Sequence, residues 1–531
     1  MKLAKRSIAI VAAMSFIASM GLTGCGEKPA EPAATGETKV EEAAAPADDK
    51  ADEAAPAADE NKVDTSEAVN LVWYQIGTND PEDLQKVMDE ANKYIAEKTD
   101  LNCTLEMHFF DYGAYPDKLQ TIISSGEEYD ICFTCSWAND YVTQASKGAY
   151  VALNDEADML GKYAPKTKEL LGDDFLAGSQ IDGINYAIPA NKEKAHQWGI
   201  VYLKDVADKY GMDLSGVKTI EDLEPFFKQV KEGEGGNMYA FEALSGESPY
   251  RLLDFDTIGG SNYPGVVYND DATTVFNELE APETKAFFEL MHKYYKEGYI
   301  RSDAATITDY TVDQKAGKIF AATRSLKPGK DAEESSTFGH EYGQIGLTQP
   351  VISNRETMGS MEAVSITSKH PERALMLLEL FNTDPEFNNI INFGIEGSHY
   401  TKNGDGTITA GPDAAKYTLN LGWAMGNQFI NYLWDTEDPE KWAKFEQFNN
   451  EAGVTHTLGF VFKADNVQTE IANCANVWKQ YIPSLETGSV DPNEVLPEAI
   501  EALKAAGCDT IIAEKQAQLE AWQQATGTPA K

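Results

Sequence analysis

The alternation of apolar and polar residues after residue 68 is typical of strands and helices at short, regular spacing. AVNLVWYQ (68–75) is apolar enough for a buried strand, and LNCTLEMHFF (101–110) places apolar residues at every second position, as in a half-buried strand. Between them, apolar residues recur at helical spacing from Leu84 to Ile95, after an Asp80-Pro81 pair that favours a helix start. The pattern predicts strand, helix and strand.

The same alternation continues in the next three segments. YPDKLQTIISSG (115–126) predicts a short helix that ends at its glycine, YDICFTCS (129–136) a buried strand, and NDYVTQASKG (139–148) another helix. Strands and helices that alternate in this way predict an α/β fold, with a parallel sheet covered by helices.

Ligands of such sheets bind beyond the carboxyl ends of the strands. This rule points to Tyr74 and Gln75 after the first strand, to Asp111 and Tyr112 after the second, and to residues 136–140 after the third. We therefore expect these side chains along one edge of the sheet, facing a ligand.

The first 24 residues have the pattern of an export signal. Basic residues precede an apolar run at 8–20, which is shorter than the about 20 residues needed to span a bilayer. LTGC (22–25) resembles the lipobox of bacterial lipoproteins, which implies cleavage before Cys25 and lipidation of its sulfur. Residues 25–68 are rich in Ala, Pro, Glu and Asp, so we expect a disordered tether. The expected location is the extracellular face of a membrane, with a lipid anchor as the only attachment.

The remaining chain of about 460 residues is too long for one ordinary core and predicts two lobes. The 86 acidic and 44 basic residues give a net charge of −42, which argues against nucleic-acid binding because phosphates require a basic surface.

Of the 6 cysteines, an odd number follows Cys25, which is a poor basis for a disulfide framework. Cys132 and Cys135 have redox spacing but lie in a predicted strand, where they would face opposite sides. The scattered histidines give no metal-ligand spacing, and we expect neither a metal nor a cofactor.

Longer segments resemble the extracellular solute-binding proteins of ABC transporters, of the maltose-binding type. Residues 126–155, from GEEYDICF to YVALND, are similar to a strand, ligand loop and helix of that family, and DGINYAIPANKEKAHQWG (182–199) to its first crossing between lobes. TIEDLEPFFKQVKEG (219–233) is similar to a helix of its second lobe. The segment from YIPSLETG to QLEAW (481–522), with GIEGSHY (394–400), resembles the subgroup with a C-terminal domain of unknown function called DUF3502.

The resemblance implies two Rossmann-like lobes, joined by a hinge that crosses more than once and closing on a ligand. Within that frame we expect an N-terminal lobe at 69–196 and 350–400 and a C-terminal lobe at 197–349 and 401–531. The resemblance also implies ABC permease subunits as partners.

A sugar ring needs flat aromatic side chains against its C–H faces, and carboxylates, amides or Arg for its hydroxyls. Trp137, with Asn139 and Asp140, would supply both in one loop. Tryptophans on helical stretches, by contrast, are interpreted as core: Trp434, Trp442, Trp478 and Trp522. The candidate ligand-binding residues are Tyr74, Gln75, Trp137, Asn139, Asp140, Trp198, Arg251, Trp423 and Asn427. For Arg251, a surface ion pair is the alternative.

Catalytic motifs such as G-x-S-x-G, the P-loop and H-E-x-x-H are absent from the sequence. TKNGDGTITAGP (401–412) has Thr and Pro where a calcium-binding EF-hand needs Asp and Glu, so we predict a β-hairpin there. The favoured hypothesis is a solute receptor of an ABC importer, for an oligosaccharide, and not an enzyme. A receptor for a peptide or other solute and a surface carbohydrate-active enzyme or adhesin are the alternatives.

Overall fold

The computed structural model describes residues 63–531, except 244–248, 260, 262, 308 and 309. The predicted export signal, Cys25 and nearly all of the predicted tether lie outside the described residues. The strands are β1 (Val69–Gly77), β2 (Cys103–Asp111), β3 (Ile131–Thr134), β4 (Gln180–Ile181), β5 (Ile184–Asn185), β6 (Ile188–Pro189), β7 (Ala195–Leu203), β8 (Tyr239–Phe241), β9 (Val266–Tyr268), β10 (Asp271–Phe276), β11 (Ile319–Leu326), β12 (Tyr342–Gly346), β13 (Val351–Ile352), β14 (Met361–Val364), β15 (Tyr400–Lys402), β16 (Ile408–Ala410) and β17 (Gly453–Val454).

The α-helices are numbered in the same way. They are α1 (Leu84–Lys98), α2 (Tyr115–Ser125), α3 (Tyr141–Ser146), α4 (Met159–Tyr163), α5 (Pro165–Leu171), α6 (Asp173–Ala177), α7 (Lys204–Tyr210), α8 (Glu224–Glu234), α9 (Pro282–Lys296), α10 (Thr311–Lys315), α11 (Lys330–Phe338), α12 (Asn354–Thr357), α13 (Pro371–Thr383), α14 (Pro385–Phe393), α15 (Lys441–Glu451), α16 (Gln468–Glu486), α17 (Pro492–Ala506) and α18 (Cys508–Thr526).

The first sheet has the strand order β2, β1, β3, β14 and β6. β1 is parallel to β2 and β3, as the sequence predicted, whereas β14 is antiparallel to β3 and β6. The alternate residues of β2 from Cys103 to Phe109 are buried, and α1 packs against this strand. The period-2 pattern therefore marks the face that the helix covers.

The start of α1 differs from the prediction. The helix begins at Leu84 and not at Pro81, because the Asp80 carboxylate does not cap it. Asp80 Oδ1 instead accepts a hydrogen bond of 2.7 Å from the backbone N–H of Phe109, near the end of β2. The Leu84 N–H donates to the Pro81 carbonyl at 3.1 Å, which makes 81–84 a turn that precedes the helix.

The second sheet has the strand order β17, β13, β7, β11 and β8, and β12 also pairs with β7. β7 is its central strand and is antiparallel to β11, β12 and β13. Most of β7 is buried, from Ala195 to Leu203, so its side chains are held between neighbouring elements.

Each sheet has its own hydrophobic core. The buried apolar residues of the first core come from 69–188 and 361–425, and those of the second from 200–342 and 460–519. Residues 417–425 therefore pack in the first core, although the sequence analysis placed everything after residue 400 in the C-terminal lobe. The other lobe boundaries stay a prediction.

The chain passes between the two cores three times, at residues 189–199, 343–360 and 426–459. These crossings are hydrogen-bonded to one another. The Ala190 N–H donates to the Ser360 carbonyl (2.9 Å), the Asn191 N–H to the Gly426 carbonyl (2.8 Å), and the Gln428 N–H to the Asn191 carbonyl (2.8 Å). The hinge is thus a small bundle of three backbones, which confirms the prediction of several crossings.

The structure also confirms one local prediction. The segment at 401–412 is a hairpin, in which β15 and β16 pair antiparallel. The cysteines of the described residues, Cys132 and Cys135 among them, are buried and free. None of the helices in the described part of the chain is both long and apolar enough to cross a membrane.

Candidate ligand-binding site

A pair of tryptophans, Trp137 and Trp423, lies on the first lobe, and the first of them is exposed. Trp137 follows β3, and 52% of its side chain is exposed, although its Nε1–H is fixed by a 2.8 Å hydrogen bond to the Gly359 carbonyl. Its ring lies 6.2 Å from that of Trp423, at an angle of 33°, and 5.8 Å from that of Phe133. The structure thus brings together two predicted site residues and holds one of them as an oriented, solvent-facing ring.

A cavity of about 250 Å³ lies in the second lobe and contains two further predicted residues, Trp198 and Arg251. Trp198 is only 2% exposed, because the guanidinium groups of Arg355 and Arg251 lie 4.8 Å and 5.8 Å from its ring. The cavity is lined by His196, Trp198, Tyr250, Arg251, Asp254, Phe255, Asp256, Thr257, Ser261, Val266, Asn269, Glu278, Ser353, Arg355, Trp478 and Glu486.

The walls of this cavity offer several hydrogen-bond acceptors. His196 Nε2 lies 3.2 Å from Asp254 Oδ1, and His196 Nδ1 has no protein partner. Burial raises the pKa of Asp256, whose carboxylate also accepts a hydrogen bond from the Thr457 hydroxyl. Burial likewise raises the pKa of Glu278. Rings, guanidinium groups and acceptors in one cavity suit a ligand that has both apolar faces and hydroxyl groups.

The tryptophan pair and the cavity both contact the second crossing. The short helix α12 carries Arg355 over Trp198, and Gly359, four residues further along, accepts the hydrogen bond from Trp137. The first-lobe rings and the second-lobe cavity therefore flank the same segment of the hinge.

Three predicted residues at strand ends are used within the fold. The ring of Tyr74 stacks on those of His108 and Phe110 and is 9% exposed. Gln75 is fully buried, and its Oε1 accepts a hydrogen bond from Trp73 Nε1. Asp140 caps α3 by accepting from the Thr143 N–H at 2.8 Å. These contacts explain the positions of all three without a ligand.

Asn139 and Asn427 are also buried and hydrogen-bonded internally. Asn139 has a left-handed backbone (φ 51°), and its Nδ2 donates to the Tyr150 hydroxyl at 2.8 Å. Asn427 Oδ1 accepts from Asn191 Nδ2 (3.1 Å) and from the Phe429 N–H, so it joins two crossings of the hinge. We leave both out of the site.

Sequence reasoning missed His196, Arg355 and Trp478. His196 and Trp198 are two residues apart on β7, so they share a face of the strand, and this spacing could have identified His196. Trp478 was interpreted as core and does pack against the second core, but it also lines the cavity. Nothing in the pattern around Arg355 indicates its position over Trp198. No cluster of potential metal ligands occurs among the residues that the structure describes.

Two families match the sequence. The family described as bacterial extracellular solute-binding protein matches residues 86–395, and the domain of unknown function DUF3502 matches residues 456–524. The first match spans more than half of the chain and includes most of the residues of the first core and the first two crossings.

Similar proteins are known from Streptococcus pneumoniae. A carbohydrate ABC transporter substrate-binding protein of serotype 4 is 31% identical over 466 residues, which cover 86% of this chain and 91% of that protein. The crystal structure of the N-glycan transport solute-binding protein NgtS is 29% identical with a TM-score of 0.78, covering 86% of this chain and 99% of NgtS. Its complex with Man5GlcNAc gives a TM-score of 0.68 at the same identity and coverage.

These matches confirm the expected α/β fold of two lobes and the expectation of a binding protein that is not an enzyme. The chain belongs to the bacterial extracellular solute-binding proteins of ABC transporters and carries a C-terminal DUF3502 domain.

Proposed function

We propose that this protein is the receptor of an ABC importer for an oligosaccharide of the N-glycan type. The observation that carries the proposal is the oriented Trp137 and Trp423 pair, which lies beside a cavity containing Trp198 and hydrogen-bonding side chains. Tryptophan rings that face solvent provide the platforms that sugar rings need. The NgtS complexes with Man1GlcNAc and Man5GlcNAc support this ligand class, at 28% and 29% identity.

The proposal includes closure of the two lobes around the ligand. A ligand can draw the lobes together only if it contacts both of them better in the closed state. The tryptophan pair belongs to the first lobe and the cavity to the second, so one oligosaccharide chain can touch both.

The proposal also places the receptor at the membrane surface. The lipobox-like LTGC (22–25) would attach lipid to Cys25, and residues 25–68 would act as a tether to the folded lobes. ABC permease subunits in the same membrane would then accept the ligand. Replacing Cys25 by Ser should move the protein from the membrane fraction to the soluble fraction, and a fully membrane-bound variant would contradict this part of the proposal.

A thermal-shift screen tests the ligand class. The purified protein is heated with Man1GlcNAc, Man5GlcNAc, unrelated oligosaccharides and peptides, each at several concentrations. A ligand at 100 times its Kd adds about 2.7 kcal/mol to the free energy of unfolding, which raises the midpoint measurably. We expect the mannose-containing glycans to raise it. A rise with peptides alone would favour the peptide receptor, and release of a cleaved product from a bound glycan would favour an enzyme.

A further inference from the structure

A second cavity, of about 340 Å³, opens beside the hairpin of β9 and β10. Tyr268 at the end of β9 is 41% exposed, and its ring lies 4.9 Å from that of Phe276 at the end of β10. Both rings line this cavity. The Tyr268 hydroxyl donates a 2.6 Å hydrogen bond to Glu283, which fixes the orientation of the ring. Like Trp137, Tyr268 is thus an oriented aromatic ring that faces solvent.

Phe255 lies between this outer cavity and the cavity that contains Trp198. Its ring packs edge-on against Tyr268 (5.7 Å) and Phe276 (5.6 Å), and Phe255 also lines the cavity around Trp198. Phe255 therefore lines the cavity around Trp198 and contacts two rings that line the outer cavity. The cavity around Trp198, at about 250 Å³, is smaller than the roughly 300–1,000 Å³ of sites that enclose a complete small ligand. An oligosaccharide bound there must extend beyond it.

The polar side chains of the outer cavity suit a neutral ligand. Asn277 lines it and is 4% exposed, and its Nδ2 has no hydrogen-bond partner, while its Oδ1 accepts from the backbone of Leu279. The lining carboxylates of Asp271 and Glu280 are paired with Lys531 and Lys504, both at 2.8 Å. The cavity thus offers rings, hydroxyls and an unused amide donor, with its lining carboxylates already neutralised, which is the chemistry that a neutral sugar requires.

We infer that the outer cavity is a subsite for a second arm of a neutral, branched oligosaccharide whose first part occupies the cavity around Trp198. This inference rests on the proposed function and adds the size and shape of the ligand to it. The arm passes Phe255 and places one sugar ring against Tyr268 and Phe276. A short glycan does not reach this subsite, so the outer cavity makes the receptor select for longer, branched ligands.

Calorimetric titration with two glycans of different size tests the inference. Man1GlcNAc and Man5GlcNAc are titrated into the wild-type protein, Tyr268→Ala and Thr274→Trp, a substitution that fills the cavity from an exposed lining position. Tyr268→Ala removes a stacking contact and Thr274→Trp blocks access to it. Both variants should bind Man5GlcNAc about tenfold more weakly than the wild type and bind Man1GlcNAc within about twofold of it. Tyr268→Phe is the matched control: it keeps the ring and should bind both glycans nearly as the wild type does.

The outcomes separate this inference from the proposed function. If the wild type binds both glycans and the two variants bind Man5GlcNAc unchanged, the outer subsite is refuted while the proposed function stands. Equal weakening of both glycans would also refute it, since that result indicates a general disturbance of the lobe. If the wild type binds neither glycan, the proposed function itself fails and this inference fails with it. Thermal melts of each variant are recorded as a control for folding.

Discussion

At the scale of single residues, the candidate site depends on where aromatic side chains are held. Trp137 is exposed yet fixed by the Gly359 carbonyl, whereas Trp198 is covered by two guanidinium groups. Sequence reasoning selected both as candidates, because strand ends and crossings are expected to face the cleft in this class of fold. Their part in ligand binding stays a prediction. It could not predict Arg355 over Trp198, because that contact depends on how the return crossing folds and not on any local pattern.

The first prediction concerns Trp137→Ala. Loss of a stacking platform and its contact area should weaken glycan binding by about 2 kcal/mol, or roughly thirtyfold, as measured by calorimetric titration. The unfolding midpoint should change little, because half of the side chain is already exposed.

Trp442→Ala is the matched control for this prediction. Trp442 also donates its Nε1–H to a backbone carbonyl, at 3.1 Å, but packs between Phe429 and Phe445 and lines neither cavity. Its loss should lower the midpoint and leave affinity unchanged. Unchanged affinity in a well-folded Trp137→Ala variant would remove this ring from the site.

At the scale of elements, the hinge holds a buried group of charges. Lys192 of the first crossing lies 3.4 Å from Glu193 and 3.3 Å from Glu356 of α12, and Lys327, next to β11, lies 3.4 Å from Glu193. Burial alone would raise the pKa of Glu193, but the two ammonium groups outweigh it and lower the pKa from 4.5 to about 2. Lys192 thus joins the first two crossings through Glu356, and Glu193 joins the first crossing to the second sheet through Lys327.

The second prediction is a pH-dependent loss of stability in Glu193→Gln. A carboxyl group whose pKa is lower in the folded protein stabilises the fold above its unfolded pKa, and this contribution is lost as pH falls from about 4.5 to about 2. At pH 7 the variant should be about 3 kcal/mol less stable than the wild type, from the size of the shift. The difference should shrink as the pH is lowered through that range.

Denaturant unfolding at several pH values provides the measurement for Glu193→Gln. Glu333→Gln is its control, since Glu333 also pairs with Lys327, at 3.0 Å, but is far more exposed. That variant should lose under about 1 kcal/mol. A Glu193→Gln variant whose deficit is the same at pH 7 and pH 3 would show that the charge of Glu193 does not stabilise the hinge.

The elements themselves were largely predictable. β1, β2, β3, α2 and α3 follow the apolar pattern of the sequence, because burial of their side chains dictates it. The start of α1 was not predictable. The carboxylate of Asp80 accepts a hydrogen bond from Phe109 of β2, a strand that is distant in sequence. Packing of residues 417–425 in the first core was missed for a similar reason, because it depends on where the third crossing begins and not on local pattern.

At the scale of the whole molecule, two cores and three crossings form a receptor whose candidate site has one part on each lobe. Nothing in the sequence pattern predicts how those parts are connected; in the structure the second crossing contacts both, through Arg355 and through the Gly359 carbonyl. Binding energy gained on both sides of the hinge is what would make closure favourable.

The central claim is that an oligosaccharide binds between the lobes and closes them, and small-angle X-ray scattering tests this most directly. Scattering is recorded for the wild-type protein alone and with Man5GlcNAc at a concentration that calorimetry shows to be saturating. We expect the radius of gyration of the wild-type protein to decrease when the glycan binds. At a glycan concentration that leaves Trp137→Ala largely unbound, the radius of gyration of that variant should stay at the ligand-free value. An unchanged radius of gyration in the saturated wild-type protein would contradict the account.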